Sequence, residues 1–199
     1  MSQSPALFYL ADAPVPAGLR TEEFVLRVLR AADAALDYDA VISSREQLLV
    51  KSGGDWPREG FTLEENLADL ERHERDFHER SGFTYTVMNP TETECLGCVY
   101  IYPLRSLLER VNASQERLAR VGDYEARVWF WTRSSRLADH LDARLLEALR
   151  GWLRREWAFA RVVFSVNANE TEHLRLLQQA GLREQETLQG ERSTLYLYG

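Results

Sequence analysis

The stretch that most constrains the fold covers residues 124–182, where strand-like and helix-like patterns alternate. It opens with YEARVWFWTR, passes through SSRLAD into the amphipathic LDARLLEALRGWLRREW, and returns to a strand pattern in ARVVFSVNAN. ETEHLRLLQQAGL then predicts a short helix that ends at Gly181. This spacing predicts a βαβ unit, with both strands near each other in one sheet. The helix N-terminus after the first strand offers unpaired N–H groups to an anion, so that loop is the first candidate site.

The rest of the chain predicts a mixed α/β domain. Thr62-x-x-Glu65 fits a capping box, and residues 105–122 predict a loop with a helical turn. After Gly181 we expect a closing hairpin. Further strands are predicted at 21–30, 83–90 and 95–104, and helices over 31–49 and from Thr62. We expect an N-terminal extension over residues 1–20 and a single domain over residues 21–199, with a sheet of six or seven strands.

Composition limits the kinds of partner. With 199 residues and a formal net charge of −7, the chain is long enough for one sizeable core. The acidic balance argues against nucleic-acid binding, which needs a basic surface, and mildly favours an amine-bearing substrate. The sequence shows no secretory signal and no apolar run long enough for a membrane span, so we expect a cytoplasmic protein without a membrane partner.

No metal site is predicted. Cys95 and Cys98 lie in a strand pattern, where an odd separation sends side chains to opposite faces. His73 and His78 are five apart on a charged helix, do not share a face, and are expected at the surface.

The ordered set of elements resembles the GCN5-related N-acetyltransferase (GNAT) superfamily. The likeness covers about residues 24–199 and is strongest in LGCVYIYPL, YEARVWFW, LLEALRGWL, VVFSVNAN and the Gly181-Leu182 helix end. The resemblance implies a GNAT-like α/β (α+β) fold, with a mixed, mostly antiparallel sheet flanked by about four helices. Acetyl-CoA would lie as co-substrate where two strands splay apart. Its pantetheine chain would contact Phe130, Trp131, Thr132 and Arg133 through the main chain.

The pyrophosphate loop departs from the family pattern. The matching segment is Leu137, Ala138, Asp139, His140, Leu141 and Asp142, in which His140 and Asp142 replace the two usual glycines. A side chain at His140 narrows the approach of a phosphate, although an imidazolium could itself hold one. A carboxylate at Asp142 repels phosphate but also stabilises a helix start. By resemblance, Leu137, Ala138, His140, Leu141 and Asn167 join the cofactor-binding residues.

By the same resemblance, Glu125 is the candidate general base, since an ammonium must lose a proton before it attacks a thioester. The alternative is a strand-end carboxylate paired with a surface arginine. The family's usual acid, a tyrosine, is replaced by Leu177. Trp56 is a candidate wall of the acceptor side. Trp129 and Trp131 either line the cleft or form a patch through which two chains associate as a homodimer.

The sequence thus predicts acetyl transfer from acetyl-CoA to the amine of a small molecule or peptide by direct attack. The rivals are a catalytically inactive binding or interaction module of the same fold and an acyl-CoA sensor.

Overall fold

A computed structural model describes residues 8–189 and 194–199, which form one twisted sheet with helices on both faces. The strands are β1 Gly18–Arg20, β2 Val25–Val28, β3 Phe83–Met88, β4 Cys95–Pro103, β5 Ala126–Thr132, β6 Val162–Asn167, β7 Glu184–Gln189 and β8 Thr194–Tyr198. The helices are α1 Ala34–Ser43, α2 Arg45–Ser52, α3 Leu63–His78, α4 Leu104–Arg110, α5 Gln115–Val121, α6 Leu141–Glu156 and α7 Thr171–Gln179. The strand order is β1-β2-β3-β4-β5-β6-β8-β7.

The mixed, mostly antiparallel sheet is confirmed, since only the β5–β6 pair is parallel. The element counts were too low: the described residues contain eight strands and seven helices. The predicted helix over residues 31–49 divides at Ser44 into α1 and α2, and the predicted loop over 105–122 contains α4 and α5. None of the helices in the described ranges is long and apolar enough to cross a membrane.

Local sequence signals fix α3 and α6. Thr62 Oγ1 accepts a hydrogen bond from the Glu65 N–H at 3.2 Å, while the Glu65 carboxylate accepts from the Thr62 N–H at 2.9 Å, so the capping box is confirmed. In α6, the apolar stripe lies against the sheet and is fully buried. This stripe consists of Leu141, Leu145, Leu149, Trp152 and Leu153.

The described part of the predicted N-terminal extension packs into the domain. Tyr9 is 3% exposed, and its hydroxyl accepts a hydrogen bond from the Ala158 N–H. Arg20 lies in β1, which pairs antiparallel with β2. The predicted boundary after residue 20 therefore falls inside the first hairpin.

Strands β5 and β6 separate towards their C-terminal ends. β5 pairs with β4 over its whole length, from Ala126 to Thr132. Its parallel register with β6 covers only Ala126, Arg127 and Val128. Beyond Val128 the two strands diverge, which leaves a wedge beside Trp129–Thr132. The main-chain groups of β5 that face the wedge have no ladder partner from β6.

A β-bulge in β4 overturns the predicted orientation of the cysteine pair. The register with β3 shifts between Val87 and Met88, so Leu96 is an extra residue on β4. Cys95 and Cys98 consequently lie on the same face, in the core cluster beneath α1. An odd separation sends side chains to opposite faces only when the strand is regular.

Candidate functional site

Two cavities meet at the wedge between β5 and β6. The larger, of about 1210 Å³, lies on the sheet face covered by α2 and α3; the smaller, of about 240 Å³, lies towards the start of α6. Two residues line both: Trp131 and Glu170. Any two molecules held in the separate cavities would therefore meet beside Glu170.

Aromatic side chains form much of the wall of the larger cavity. Trp129 stacks on Tyr100 with ring centroids 5.0 Å apart and planes 9° from parallel, and the Trp131 indole N–H donates to the Tyr100 hydroxyl at 3.3 Å. Trp56, expected as a wall of the acceptor side, lines this cavity. The two β5 tryptophans thus line the cleft rather than an exposed patch.

Lys51 and Glu170 form a largely buried ion pair at the boundary of the cavities, with side chains 12% and 8% exposed. Lys51 Nζ also lies 3.3 Å from His173 Nδ1, and Glu170 Oε1 accepts from the Asn167 N–H at 2.8 Å. Burial lowers the pKa of Lys51, although the Glu170 carboxylate opposes that shift. Burial also lowers the pKa of His173 well below its ordinary value, and the Lys51 ammonium adds to that, so His173 is neutral.

This ion pair was not among the candidate site residues predicted from the sequence. Lys51 is the only lysine in the chain, which is the one signal that could have singled it out. Its partner lies 119 residues away along the chain, and no local pattern joins them.

Arg127 extends into the larger cavity from the start of the wedge. Its guanidinium lies 4.1 Å from the centre of the Trp129 ring, and its Nε–H donates to Ser165 Oγ at 2.7 Å. Burial, with a contribution from the nearby Arg110, lowers the pKa of Arg127 to about 9, so the side chain is still charged at neutral pH.

His73 lies in the same cavity, contrary to the predicted surface position. Its Nδ1 is 2.8 Å from the Tyr102 hydroxyl and 3.1 Å from Thr84 Oγ1. Burial lowers the pKa of His73 to about 4, and the neighbouring Arg72 adds to that shift. The sequence placed His73 on a charged helix face, but that face turns towards β3 and β4.

The smaller cavity contains part of the predicted cofactor-binding set. Phe130, Trp131, Thr132 and Leu137 line it, together with Asp142, Glu172 and His173. Thr132 Oγ1 is buried with no hydrogen-bond partner among the described residues. Asn167 lines the larger cavity instead.

The other predicted cofactor residues line neither cavity. The Arg133 side chain is bound to Asp39 at 2.6 Å and to Glu94 at 3.4 Å, so its charge is already used. Ala138 and His140 are exposed, and Leu141 is buried in the core, so that of Leu141 only the main chain could contact a ligand.

The loop before α6 has its own hydrogen bonds. His140 caps α6 in the left-handed conformation, with φ 55°, a backbone state usual for glycine. Asp142 Oδ1 accepts from the Ala143 N–H at 2.9 Å, as a helix-start carboxylate does. Ser134 is tied to α2 and its N-terminal cap, because its N–H donates to Ser44 Oγ and its hydroxyl to Gln47. The loop is therefore ordered without its glycines.

Glu125 lies outside both cavities. It is exposed at the start of β5, and its carboxylate accepts a hydrogen bond from the Ala160 N–H. This position resembles the alternative reading of a strand-end carboxylate, although its partner is a main-chain group and not an arginine.

The cysteine pair and Asp37 form a buried polar cluster under α1. Both thiols donate to Asp37 Oδ1, Cys98 at 3.3 Å and Cys95 at 3.8 Å, and Asn66 Nδ2 donates to Asp37 Oδ2 at 3.0 Å. The three possible ligand atoms lie within 4.8 Å of one another. Burial raises the pKa of Asp37, and the bond to Cys95 together with burial raises that of Cys98. Metal ligands must be deprotonated, so these shifts oppose metal binding and favour a structural role.

Solved structures share this fold at low sequence identity. The ribosomal-protein acetyltransferase RimL in complex with coenzyme A has a TM-score of 0.67 and 14% identity, covering 92% of this chain and 94% of that one. The microcin self-immunity acetyltransferase MccE, in complex with acetyl-CoA and AMP, has a TM-score of 0.68 and 12% identity over 92% and 96%. A ribosomal-protein-alanine acetyltransferase from Vibrio fischeri has a TM-score of 0.66 and 14% identity over 92% and 95%.

The sequence itself matches no protein-family model and no curated protein. At these identities the structural likeness concerns the fold, which the chain shares with solved acetyltransferases, including one from Bordetella pertussis described as a GNAT-family acetyltransferase (TM-score 0.65, 16% identity over 91% of this chain and 97% of that one).

Proposed function

We propose that this protein is an N-acetyltransferase that uses acetyl-CoA to acetylate the amine of a small molecule or peptide. The observation that carries the proposal is the junction beside Glu170, where a wedge with free main-chain groups meets two cavities. Neighbours of the same fold are described in complex with coenzyme A or acetyl-CoA, which supports the choice of co-substrate.

The smaller cavity fits the pantetheine end of acetyl-CoA. It is narrow, lies along Phe130–Thr132, and includes the unpaired Thr132 hydroxyl as a possible partner for an amide. The unladdered main chain of β5 offers further hydrogen bonds. The fit is poorer at the start of α6, where the Asp142 carboxylate lines the same cavity. When bound, acetyl-CoA supplies the thioester carbonyl that an amine attacks.

The Lys51–Glu170 pair accepts and donates the protons of the reaction at the junction. Among the residues that the structure describes, Glu170 is the only carboxylate that lines both cavities, so in our proposal it takes the proton that the acceptor ammonium must lose. Lys51 Nζ holds a proton next to it and returns one to the leaving group, in the place of the usual tyrosine. The position of that tyrosine is occupied by Leu177, which is fully buried. The nitrogen loses two protons in forming the amide: one is released to solvent, and the other passes from Glu170 to Lys51 to replace the proton given to the thiolate, which restores both charges.

Two further proposals concern setting and partners. Both cysteines are free and buried, which agrees with a reducing cytoplasmic compartment. A homodimer stays a proposal, but Trp129 and Trp131 would not form its interface because both line the cavity.

Acetyl-CoA binding is the first experimental test. We expect acetyl-CoA at about 100 times its dissociation constant to stabilise the fold by about 2.7 kcal/mol, seen as a rise in the thermal midpoint. Unchanged unfolding at millimolar acetyl-CoA would overturn both the enzyme and the sensor readings. Binding without transfer to any amine in a broad panel would leave the acyl-CoA sensor.

A further inference from the structure

The larger cavity contains two guanidinium groups that have no acidic partner. Arg127 and Arg110 both line it, and neither forms an ion pair with a carboxylate in residues 8–189 and 194–199. The two like charges are close enough for Arg110 to lower the pKa of Arg127. Adjacent cations in a partly buried cavity repel each other, and a bound anion would relieve that repulsion.

Acidic groups on the cavity wall do not supply that anion. Glu170 is bound to Lys51 and acts on Arg127 only as a nearby charge, which partly offsets the lowering of the Arg127 pKa. Asp69 accepts from Arg72 at 3.1 Å. Asp55 is exposed at the edge of the cavity. The acids are thus bonded elsewhere or stand at the rim, and the floor near Arg127 keeps a net positive charge.

The Arg127 guanidinium is held in place by neighbouring side chains, while its terminal N–H groups stay free to bind a ligand in the cavity. Trp129 covers one face of the group, and Ser165 accepts from Nε. The terminal nitrogens Nη1 and Nη2 have no hydrogen bond to any described residue, and they are not sealed off from the cavity. A fixed guanidinium fork with free terminal N–H groups matches the oxygens of a carboxylate or phosphate.

We propose that the acceptor is an amine that also carries an anionic group, a carboxylate or a phosphate, which binds to Arg127 and Arg110 at the floor of the larger cavity. The inference rests on the proposed acetyl transfer and specifies its substrate class. The amine end would then extend along the wall formed by Trp129 and Trp131 to Glu170.

The test uses two pairs of amines that differ in the anionic group, and the first pair is also matched in length. The pairs are 4-aminobutanoate with pentylamine, and O-phosphoethanolamine with 2-aminoethanol. We expect the wild-type protein to acetylate one or both anionic members with a kcat/KM at least tenfold above that of the neutral partner. The carboxylate and phosphate arms show which anion the site prefers.

Two arginine variants and a matched control locate the effect. Arg127→Gln and Arg110→Gln should each raise KM for the anionic acceptor at least tenfold more than KM for the neutral amine, and so remove the preference for the anion. Arg105→Gln lies on the same helix as Arg110, is exposed, pairs only with Glu109 and lines neither cavity. It should behave like wild type. Arg110 is exposed too, so Arg110→Gln keeps the test open if Arg127→Gln fails to fold.

Failure of this inference differs from failure of the proposed function. Equal rates for anionic and neutral amines, or a preference that survives both arginine variants, would overturn the anion site while acetyl transfer stands. If no amine is acetylated, the shift of the thermal midpoint by 4-aminobutanoate and O-phosphoethanolamine decides. If these amines raise the thermal midpoint of the wild type and of Arg105→Gln but not that of Arg110→Gln, the anion site is supported. If they leave the thermal midpoint of the wild type unchanged, the anion site is rejected.

Discussion

The two cavities on either side of Glu170 differ in charge. The larger has aromatic walls and two guanidinium groups without an ion-pair partner among the described residues, whereas the smaller is lined by the carboxylates of Asp142, Glu170 and Glu172. A site for a phosphate-rich cofactor would be expected to show the opposite bias near its pyrophosphate. The molecule thus has the wedge in which we propose that a pantetheine chain binds, but carboxylates line the cavity beside it. It places its positive charge on the acceptor side.

The contrast separates what the fold supplies from what the side chains add. The splay of β5 and β6 is a main-chain feature and needs no particular residue at the α6 start. Recognition of the phosphates and of the acceptor depends on individual side chains, which differ between proteins of one fold. Substitutions at the junction and on either side of it can therefore separate the two contributions.

The largest effect is expected where the two sides meet. Glu170→Gln should lower kcat about 10³-fold, roughly 4 kcal/mol, because the acceptor ammonium loses its proton acceptor. Glu125→Gln should change kcat less than threefold, since that carboxylate lies outside both cavities. Steady-state kinetics with acetyl-CoA measures both, and circular dichroism checks folding. The reverse result would return the base role to Glu125 and would place the acceptor amine at the start of β5 instead of beside Glu170.

The ion pair that separates the cavities should also matter for stability. Lys51→Met leaves the Glu170 carboxylate largely buried without its cation, and we expect a loss of about 3 kcal/mol in the free energy of unfolding. The double variant Lys51→Met/Glu170→Gln keeps an acceptor for the Asn167 N–H and should recover at least half of that loss. Urea unfolding measures each value.

An exposed pair provides the control for that cycle. Arg105→Gln removes a partner from the Arg105–Glu109 pair, whose side chains are 84% and 63% exposed, and should cost less than about 0.5 kcal/mol. Equal costs for Lys51→Met and Arg105→Gln would mean that solvent reaches the junction freely.

Features of the fold and of the site could be predicted from the sequence where the interacting residues lie close together along the chain. The capping box at Thr62 and the apolar stripe of α6 were predicted correctly because each lies within a few turns of one helix. The position of a residue in the folded protein could not be predicted from such local patterns. His73 sits on a charged helix, yet it is bonded to Tyr102, 29 residues away, and Glu170 to Lys51, 119 residues away.

The cysteine pair shows a different limit. Its predicted orientation assumed a regular strand, and one extra residue at Leu96 reversed it. A bulge is set by pairing with a neighbouring strand, which the alternation of apolar residues does not reveal.

The acceptor side should make the fold sensitive to acid through His73. The folded-state pKa of about 4 lies below the ordinary 6.5, so the unfolded chain takes up a proton first as the pH falls through this window. This contribution to stability is therefore fully present above about pH 6.5 and is lost towards pH 4, by roughly 3 kcal/mol. His73→Asn should remove that part of the pH dependence, as urea unfolding between pH 7 and pH 4 would show. Unchanged dependence would assign the loss to other groups, such as His173 at the opposite cavity.

The smallest effect is expected at the start of α6. Removing a carboxylate there should strengthen ligand binding in the smaller cavity, whereas removing Lys51 or Glu170 at the junction should be harmful. Asp142→Asn removes a carboxylate from the smaller cavity and should tighten coenzyme A binding by about 1 kcal/mol, or fivefold, measured by calorimetry. Glu147→Gln, on the same helix but 74% exposed and outside both cavities, should leave the affinity unchanged. The Asp142→Asn gain should shrink with added salt, because it arises from charge repulsion. A fall in affinity would instead mean that the hydrogen bond from the Ala143 N–H to Asp142 holds the start of α6 in the conformation that binds coenzyme A. The Asp142 carboxylate would then favour binding by ordering the loop, in spite of its charge.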